Sequence, residues 1–270
     1  MKITSYLSPV RLICLASLLA FSFSSAIFAC TTDNWNGGVT GAPVAGSPNS
    51  VDRVSGFCAM QLSAAGSVKD ISPEIEPTMV IRFYVKATLN SGAPVVFEAF
   101  SDDAATASLI NVTFDGSNFV FDAGDGTSGN VAGKSGWNLI EMSWVGGVGM
   151  DYWVNTDSSG PATGAISAAD GTVESVVLGP LAALDGELTF DDYVSHRELP
   201  VGGLLIGDTN NDGAVNLFDI SATLLEIDFF NPVVQEGTPD CNMDGQVNLF
   251  DISATLLAID FFDPIPCGSN

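Results

Sequence analysis

Short apolar or alternating runs follow one another between residues 56 and 196, separated by Gly, Asn, Asp and Ser. The run Val80–Val85 alternates in part, while Asn118–Asp122 and Glu141–Val145 carry the aromatic and β-branched residues typical of strands. No long stretch with a helical period interrupts them. Many short strands separated by turn residues predict a β-sandwich or barrel. The predicted strands are Gly56–Leu62, Met79–Lys86, Pro94–Phe100, Ser108–Phe114, Asn118–Asp122, Trp137–Val145, Asp151–Val154, Val173–Leu178 and Leu188–His196.

The chain begins with the features of an export signal. Two basic residues precede the mostly apolar run Leu12–Phe23, and small residues follow it. We therefore predict a signal peptide over residues 1–29 and a secreted, periplasmic or cell-surface mature chain without a membrane span. Lipid attachment at Cys30 is an alternative, because Ile-Phe-Ala-Cys loosely imitates a bacterial lipoprotein cleavage box. The Gly-, Pro- and Ser-rich segment 34–50 is expected to be irregular.

After residue 206 the chain repeats itself at an offset of 32 residues. Aligning Asp208–Pro232 with Asp240–Pro264 gives 20 identical residues in 25 positions. Each copy starts with a polar loop and continues with apolar residues at three- and four-residue steps, which predicts an amphipathic helix. The two apolar stripes are expected to pack against each other about a pseudo-twofold axis. Their members are Leu217, Ile220, Leu224 and Ile227 in the first copy, and Leu249, Ile252, Leu256 and Ile259 in the second.

Oxygen-bearing side chains recur in each polar loop at positions 1, 3, 5, 9 and 12, with glycine at position 6. This is the pattern of an EF-hand-type calcium loop, with Asp in place of the usual Glu at position 12. Ca²⁺ takes six to eight oxygen ligands at about 2.3–2.6 Å, so short carboxylate and amide side chains can converge on one ion. Position 7 needs only its backbone carbonyl. We predict two Ca²⁺ ions, held by Asp208, Asn210, Asp212, Ala214, Asn216 and Asp219, and by Asp240, Asn242, Asp244, Gln246, Asn248 and Asp251.

A loop followed by a helix, without a helix before the loop, and duplicated within Gly207–Asp263 of an exported chain, resembles a dockerin. The resemblance implies two structural calcium ions and docking onto a cohesin-like protein of a polysaccharide-degrading assembly. Dockerin partner contacts lie at loop positions 10 and 11, which are often Ser or Thr. Here these positions hold Leu217, Phe218, Leu249 and Phe250. These apolar pairs either form a hydrophobic docking face or are buried within the module.

Four cysteines remain after the predicted signal peptide, and four cysteines allow three pairings. Disulfides persist in exported proteins. We predict the bridges Cys30–Cys58 and Cys241–Cys267, because each pair then stays inside one unit of the chain. The second bridge would close a loop of about 27 residues, which stabilises the fold by about 3–4 kcal/mol in the chain-entropy model.

The 270 residues include 32 acidic and only 8 basic ones, a formal net charge of −24 at pH 7. Nucleic acid is therefore excluded as an expected partner, because phosphate neutralisation requires Lys and Arg. No Lys or Arg follows Arg197, whereas 11 of the 32 acidic residues lie in 201–270. This change in charge marks the predicted boundaries: a β-sandwich over residues 30–198, a linker over 199–206 and a small helical, dockerin-like module over 207–270.

Three segments of the first domain are Gly56–Lys86, Trp137–Trp144 and Gly186–Arg197, the last with Phe-Asp-Asp-Tyr-Val after a Gly-rich turn. Together they resemble a concanavalin/laminin-G type jelly roll. The resemblance covers roughly residues 31–197. It implies a fold and does not by itself imply a function.

Candidate catalytic residues are few. The single histidine, His196, lies in the predicted terminal strand, where we expect a surface or edge position. The Glu-x-Asp-x-x-Glu strand of catalytic jelly-roll glucanases is absent, although carboxylates distant in sequence can still converge on a sugar. The sequence favours an exported calcium-binding protein whose dockerin-like module tethers a non-catalytic β-sandwich with carbohydrate as candidate ligand. The alternatives are a secreted glycan-active hydrolase and a purely structural adhesion or matrix protein.

Overall fold

The structure is a computed structural model, and most of the chain after residue 50 is described in it. The described residues are 39–43, 49, 51–56, 58–71, 73–230, 232–235, 237–260 and 264–268. The predicted signal peptide over residues 1–29 and the predicted lipid-attachment site at Cys30 lie outside these ranges. Within them, no helix is both long and apolar enough to cross a membrane.

Twelve strands and two helices form the regular structure of the described residues. The strands are β1 Val39–Pro43, β2 Met60–Asp70, β3 Thr78–Leu89, β4 Val95–Phe100, β5 Ser108–Phe114, β6 Asn118–Asp122, β7 Ser128–Ala132, β8 Trp137–Val145, β9 Gly149–Val154, β10 Gly164–Ile166, β11 Ser175–Leu178 and β12 Gly186–His196. The helices are α1 Leu217–Glu226 and α2 Leu249–Ala258. All strands therefore precede both helices, as the change in sequence pattern predicts.

The strands form one antiparallel ladder that folds over on itself into two facing layers. Its order is β10-β9-β8-β3-β12-β2-β11-β4-β5-β6-β7, and β1 pairs with β2 outside this path. Strands far apart in the ladder meet across the interior. The rings of Phe83 and Phe97 stack with centroids 5.5 Å apart, and those of Phe121 and Tyr152 with centroids 4.2 Å apart. The fold is thus mainly β and consistent with a sandwich, as predicted.

Strand β2 connects the two layers. Its first residues, Met60–Leu62, pair with β12, whereas its last residues, Val68–Asp70, pair with β11. Strand β12 continues into one half of the ladder and β11 into the other. Strands that bend and change partners along their length are a common way to build the corner of a sandwich.

Strands β3 and β8 are buried along most of their length on both faces, whereas β5 and β6 alternate between buried and partly exposed positions. One face of β3 and β8 lines the core of the sandwich. On the other face a second apolar cluster joins Tyr84, Trp137 and Leu139 to Met243 of the second repeat. The C-terminal repeats therefore pack on the outer face of the sandwich, and this removes the alternation that a one-sided strand would have.

Most predicted strands match observed ones to within a few residues, but three observed strands were missed. Strand β1 lies in the segment 34–50 that was expected to be irregular. Strand β7 has one large apolar residue, Val131, and β10 has three residues in all. Strand β2 was predicted over Gly56–Leu62 but extends to Asp70, because its second half has small residues and no clear apolar alternation.

Both helices begin at an asparagine cap. In α1 the side chain of Asn216 accepts a hydrogen bond from the Phe218 N–H, and the Asp219 side chain accepts one from the Asn216 N–H. This reciprocal capping box satisfies backbone donors that the first turn leaves free. The same arrangement recurs in α2, with Asn248 as the cap. The repeated sequence thus produces a repeated loop-helix structure.

The two predicted apolar stripes are only partly buried: α1 and α2 lie against each other, and the stripe isoleucines Ile220, Ile227, Ile252 and Ile259 are half-buried. The leucines of the stripes are exposed, namely Leu217, Leu224, Leu249 and Leu256. The buried residues are Asp219, Ala222 and Thr223 in α1, and Asp251 and Thr255 in α2. The Thr223 hydroxyl donates to the Asp219 carbonyl at 2.8 Å and lies 3.0 Å from the Thr209 hydroxyl. Each helix therefore turns its small polar residues, and not its leucines, towards the loops.

Candidate functional site

The two polar loops are called here the first loop, residues 208–219, and the second loop, residues 240–251. In the first loop the Asp208 carboxylate accepts the N–H groups of Asp212 at 2.9 Å and Gly213 at 2.8 Å. In the second loop Asp240 accepts the N–H groups of Asp244 at 3.1 Å and Gly245 at 2.7 Å. In each loop the carboxylate at position 1 therefore holds the backbone of positions 5 and 6 close to it.

The aspartate at position 12 closes each loop from the other side. The two oxygens of Asp219 accept the N–H groups of Asn210 at 3.2 Å and Asn216 at 2.7 Å. The second loop repeats these contacts, since Asp251 accepts from Asn242 at 3.2 Å and from Asn248 at 2.8 Å. Positions 3 and 9 are thereby held next to position 12.

Backbone conformation allows the tight bend. Gly213 and Gly245 at position 6 have φ values of +88° and +89°, a region that favours glycine. Asn211 and Met243 at position 4 also have positive φ, at +56° and +59°. Asparagine adopts this region more readily than methionine does, so a special contact must compensate at Met243.

The carboxylates at positions 1 and 12 are buried and form no direct salt bridge among the described residues, although the Lys134 ammonium lies close enough to Asp240 to interact with it electrostatically. Asp219 and Asp251 are 0% exposed, and Asp208 and Asp240 are also buried. Among the described residues no Lys or Arg forms a salt bridge with any of these four. Burial and the neighbouring Asp251 carboxylate raise the pKa of Asp240 to about 7. Burial also raises the pKa of Asp251. Two buried, adjacent carboxylates require compensation by a positive charge or a proton.

In the part of the chain that the structure describes, no three His, Cys, Asp or Glu side chains form a cluster suited to a metal ion. Each loop brings only two carboxylates into its buried interior. The third aspartate, Asp212 or Asp244, is exposed and accepts the N–H of the residue two positions later. The remaining oxygens of the predicted ligand set belong to asparagine amides and to the backbone carbonyls of Ala214 and Gln246.

The residues at loop positions 10 and 11 are exposed in both copies. We call Leu217 with Phe218, and Leu249 with Phe250, the rim pairs. The phenylalanines are 71% and 72% exposed, and both leucines are 66% exposed. Of the two arrangements that the sequence leaves open, the structure therefore has the rim pairs on the surface. Phe229 and Phe230, which follow α1, are almost fully exposed as well.

The described part of the sandwich offers no comparable aromatic surface. Its residues Trp137, Trp144, Trp153 and Tyr152 are all buried, and Trp35 lies outside the described residues. No aromatic side chain of the described part of the sandwich falls in the exposed class. The exposed aromatic residues of the described chain are thus concentrated in the C-terminal repeats.

Several acidic side chains of the sandwich are engaged in structural contacts. Glu141 is fully buried and accepts hydrogen bonds from Ser158, Val201 and Gly202. Asp191 accepts the N–H groups of Val54 and Ser55, and burial raises its pKa to about 7. Three ion pairs are also present, namely Asp192 with Arg82 at 2.8 Å, Asp52 with Lys86 at 3.0 Å and Glu76 with Arg197 at 3.0 Å. His196 is exposed at the end of β12.

One predicted disulfide is present. Cys241 and Cys267 are bonded, which joins position 2 of the second loop to the C-terminal segment. Cys58 is also disulfide-bonded, and its predicted partner Cys30 lies outside the described residues. The pairing of Cys30 with Cys58 therefore stays a prediction.

No protein-family model and no curated protein matches the chain. Solved structures to which it is similar include the receptor-binding domain of a botulinum neurotoxin C/D mosaic serotype, with 10% identity, a TM-score of 0.44, and coverage of 59% of this chain and 42% of that chain. The cellulose induced protein Cip1 has 12% identity, a TM-score of 0.46, and coverage of 64% and 92%. The chain spans about two fifths of the length of the neurotoxin domain.

Proposed function

We propose that the C-terminal repeats form a dockerin-like module that binds two Ca²⁺ ions and attaches the β-sandwich to a protein partner outside the cell. The observation that supports this most is the pair of buried carboxylates in each loop, none of which forms a salt bridge with a described Lys or Arg. In the second loop the single ammonium of Lys134, which interacts electrostatically with Asp240, does not balance two carboxylates. A buried charge without a partner is strongly destabilising, so a site of this kind calls for a bound cation.

The donor set suits calcium better than other metals. Every predicted ligand supplies oxygen, from carboxylates, amides or backbone carbonyls, and hard cations such as Ca²⁺ prefer these ligands. Carboxylates at positions 1 and 12 are held by backbone N–H groups, and each carboxylate oxygen retains a lone pair for a metal. When bound, Ca²⁺ would neutralise these carboxylates and fix the entry of each helix.

The rim pairs support attachment to a protein. Leucine and phenylalanine at equivalent exposed positions of both copies give two similar apolar surfaces beside the calcium loops. Exposed aromatic residues in a rigid position are typical of the centres of protein interfaces. We propose a cohesin-like partner with an apolar contact surface, since these positions lack the Ser and Thr common in dockerins.

Carbohydrate is the proposed ligand of the sandwich. A pocket of about 480 Å³ beside β4 combines apolar surface from Pro94 and Leu181 with the side chains of Ser91, Glu98 and Asp185. Carboxylates and hydroxyls of this kind can bind sugar hydroxyl groups. Glycan-array binding by the secreted chain, and its loss in Glu98→Ala, would support this assignment. If Glu98→Ala leaves glycan binding unchanged, this pocket is not the binding site.

Isothermal titration calorimetry of the full secreted chain with CaCl₂ tests the calcium sites. We expect two ions per chain, with dissociation constants between about 10⁻⁷ and 10⁻³ M, the range spanned by sensor-type and extracellular loops. Asp219→Asn and Asp251→Asn should each remove one ion, because each neutralises one position-12 carboxylate while retaining an acceptor for the cap. Asp115→Asn, an exposed aspartate in the turn before β6, is the matched control and should bind two ions. Absence of binding heat at millimolar calcium would overturn the proposal.

A further inference from the structure

The second loop is part of the interface with the sandwich. The backbone N–H of Trp137, at the start of β8, donates to the carbonyl oxygen of Met243 at 3.0 Å. The Lys86 ammonium on β3 donates to the Asp244 carbonyl at 3.3 Å. Positions 4 and 5 of the second loop thus bind the sandwich through their backbone carbonyls, which leaves the side-chain oxygens of the loop available on its inner side.

Packing at this contact leaves no spare room. A Cβ built on Gly136, which has a φ of +82°, would overlap the Met243 carbonyl oxygen. The Met243 side chain is 4% exposed and joins the apolar cluster of Tyr84, Trp137 and Leu139. This buried contact also explains why methionine is tolerated at a positive φ. The C-terminal segment adds a further contact, because the Lys134 ammonium donates to the Gly268 carbonyl at 3.0 Å.

The first loop has no such surroundings. Asn211, the counterpart of Met243, is exposed, and a Cβ on Gly213 would meet nothing within 4 Å. A Cβ on Gly245, in contrast, would overlap the Lys86 ammonium. Three of the five differences between the repeats fall inside the loops. They are Thr209 against Cys241, Asn211 against Met243, and Ala214 against Gln246.

Two of these differences have a structural use at the interface. Cys241 forms the bridge that holds the C-terminal segment beside the sandwich, and Met243 enters the apolar cluster. The predicted ligand residues, in contrast, are identical in the two copies except at position 7. The repeats have thus remained alike in metal chemistry and differ where one of them contacts the sandwich.

We infer that the second loop is an intramolecular latch, whose partner is the outer face of β3 and β8, and that Ca²⁺ binding to this loop and attachment of the module stabilise each other. The first loop binds its ion without this coupling. The inference rests on the proposed calcium sites. Coupling between two equilibria is reciprocal, so the factor by which bound Ca²⁺ stabilises the contact equals the factor by which the contact raises the calcium affinity of the second loop. Removing the contact must therefore lower that affinity.

Single-site titrations measure this coupling. Asp219→Asn leaves only the second loop to titrate, and Asp251→Asn leaves only the first. In the Asp219→Asn background we expect Met243→Asn and Gly136→Ala to weaken calcium affinity by at least about fivefold, the lower end of typical coupling between sites. Met243→Asn introduces the residue of the first loop, so it keeps a competent loop and removes only the apolar contact.

Three matched controls separate the latch from general damage. Asn211→Met makes the reverse exchange in the first loop and should change its affinity by less than twofold. Gly126→Ala alters another glycine of positive φ whose Cβ would meet nothing within 4 Å, and it should leave both affinities unchanged. In the Asp251→Asn background, Met243→Asn should not affect the first loop.

Hydrogen exchange of the Trp137 amide gives an independent reading. Calcium should slow this exchange at least about fivefold in the wild type and in Asp219→Asn, but not in Asp251→Asn, because only the second loop accepts this N–H. If no calcium binds the wild type, the proposed calcium sites fail and the coupling fails with them. If both loops bind normally but Met243→Asn and Gly136→Ala leave the second-loop affinity and the Trp137 exchange unchanged, the latch alone is overturned.

Discussion

Glu226→Ala is expected to lower the free energy of unfolding of the full chain by about 3–5 kcal/mol. Glu226, at the end of α1, forms an ion pair with Arg53 at 2.6 Å, and the two side chains are 10% and 0% exposed. Arg53 also donates to the Gln235 carbonyl at 3.3 Å, while its Nε and Nη1 atoms have no partner among the described residues. Removing the carboxylate would leave a buried guanidinium without a counter-charge.

Urea unfolding followed by far-UV circular dichroism would measure the loss. Glu76→Ala is the matched control. Glu76 forms an ion pair with Arg197, both side chains are about a quarter exposed, and this pair should contribute no more than about 1 kcal/mol. The double variant Arg53→Met/Glu226→Met should recover most of the stability, since apolar side chains can replace a buried ion pair. Equal losses in Glu226→Ala and Glu76→Ala would contradict the larger stabilisation expected of the buried pair.

This ion pair also illustrates what the sequence does not reveal. Arg53 and Glu226 are separated by 173 residues, and the local pattern at neither residue indicates the contact. The same applies to Met243, which differs from its counterpart Asn211 in the repeat without any local signal of its burial. Contacts between the sandwich and the repeats depend on tertiary packing, which a periodic pattern along one segment cannot report.

The elements that were predictable are those with strong local patterns. Strands β5, β6 and β8 have the predicted bounds, because their apolar residues alternate or run continuously between turn residues. The glycines at position 6 have the positive φ that the bend of the loop pattern requires, whereas the capping role of Asn216 and Asn248 was not predicted. Strands β7 and β10 are edge or near-edge strands with few apolar residues, so they carry little periodic signal.

The buried face of each helix was not predicted correctly, for a different reason. Apolar periodicity identified two helices, yet the packed residues are small and polar, with Thr223 and Thr255 buried beside the loops. The stripe leucines, Leu217, Leu224, Leu249 and Leu256, are 49–66% exposed. A stripe of leucine therefore marks a surface that needs a partner, and the partner here need not be the other helix.

Replacing both Cys241 and Cys267 with serine is expected to destabilise the C-terminal module by about 3–4 kcal/mol. The bridge has a sequence separation of 26 residues and encloses all of α2 and all of the second loop except Asp240, so its loss frees that segment in the unfolded state. Without the bridge, the C-terminal segment still has the hydrogen bond from the Gly268 N–H to the Cys241 carbonyl at 2.8 Å. Because such a bond contributes only about 1 kcal/mol, the segment should separate from the second loop when the bridge is absent. The α2 amides should then exchange faster, while those of β5 and β6 in the sandwich should not.

Hydrogen exchange with mass spectrometry measures the two regions in one experiment, at saturating calcium and again with chelator. A serine pair is preferable to reduction, because reductant would also break the bridge at Cys58. Cys241→Ala/Cys267→Ala is the matched pair: if the crosslink is the cause, alanine and serine should give the same loss, whereas a difference between them would measure the polarity of the buried Cys241 site. If the free energy of opening of the α2 amides, obtained from their exchange, stays within about 1 kcal/mol of the wild-type value, packing on the sandwich and not the crosslink holds the second repeat.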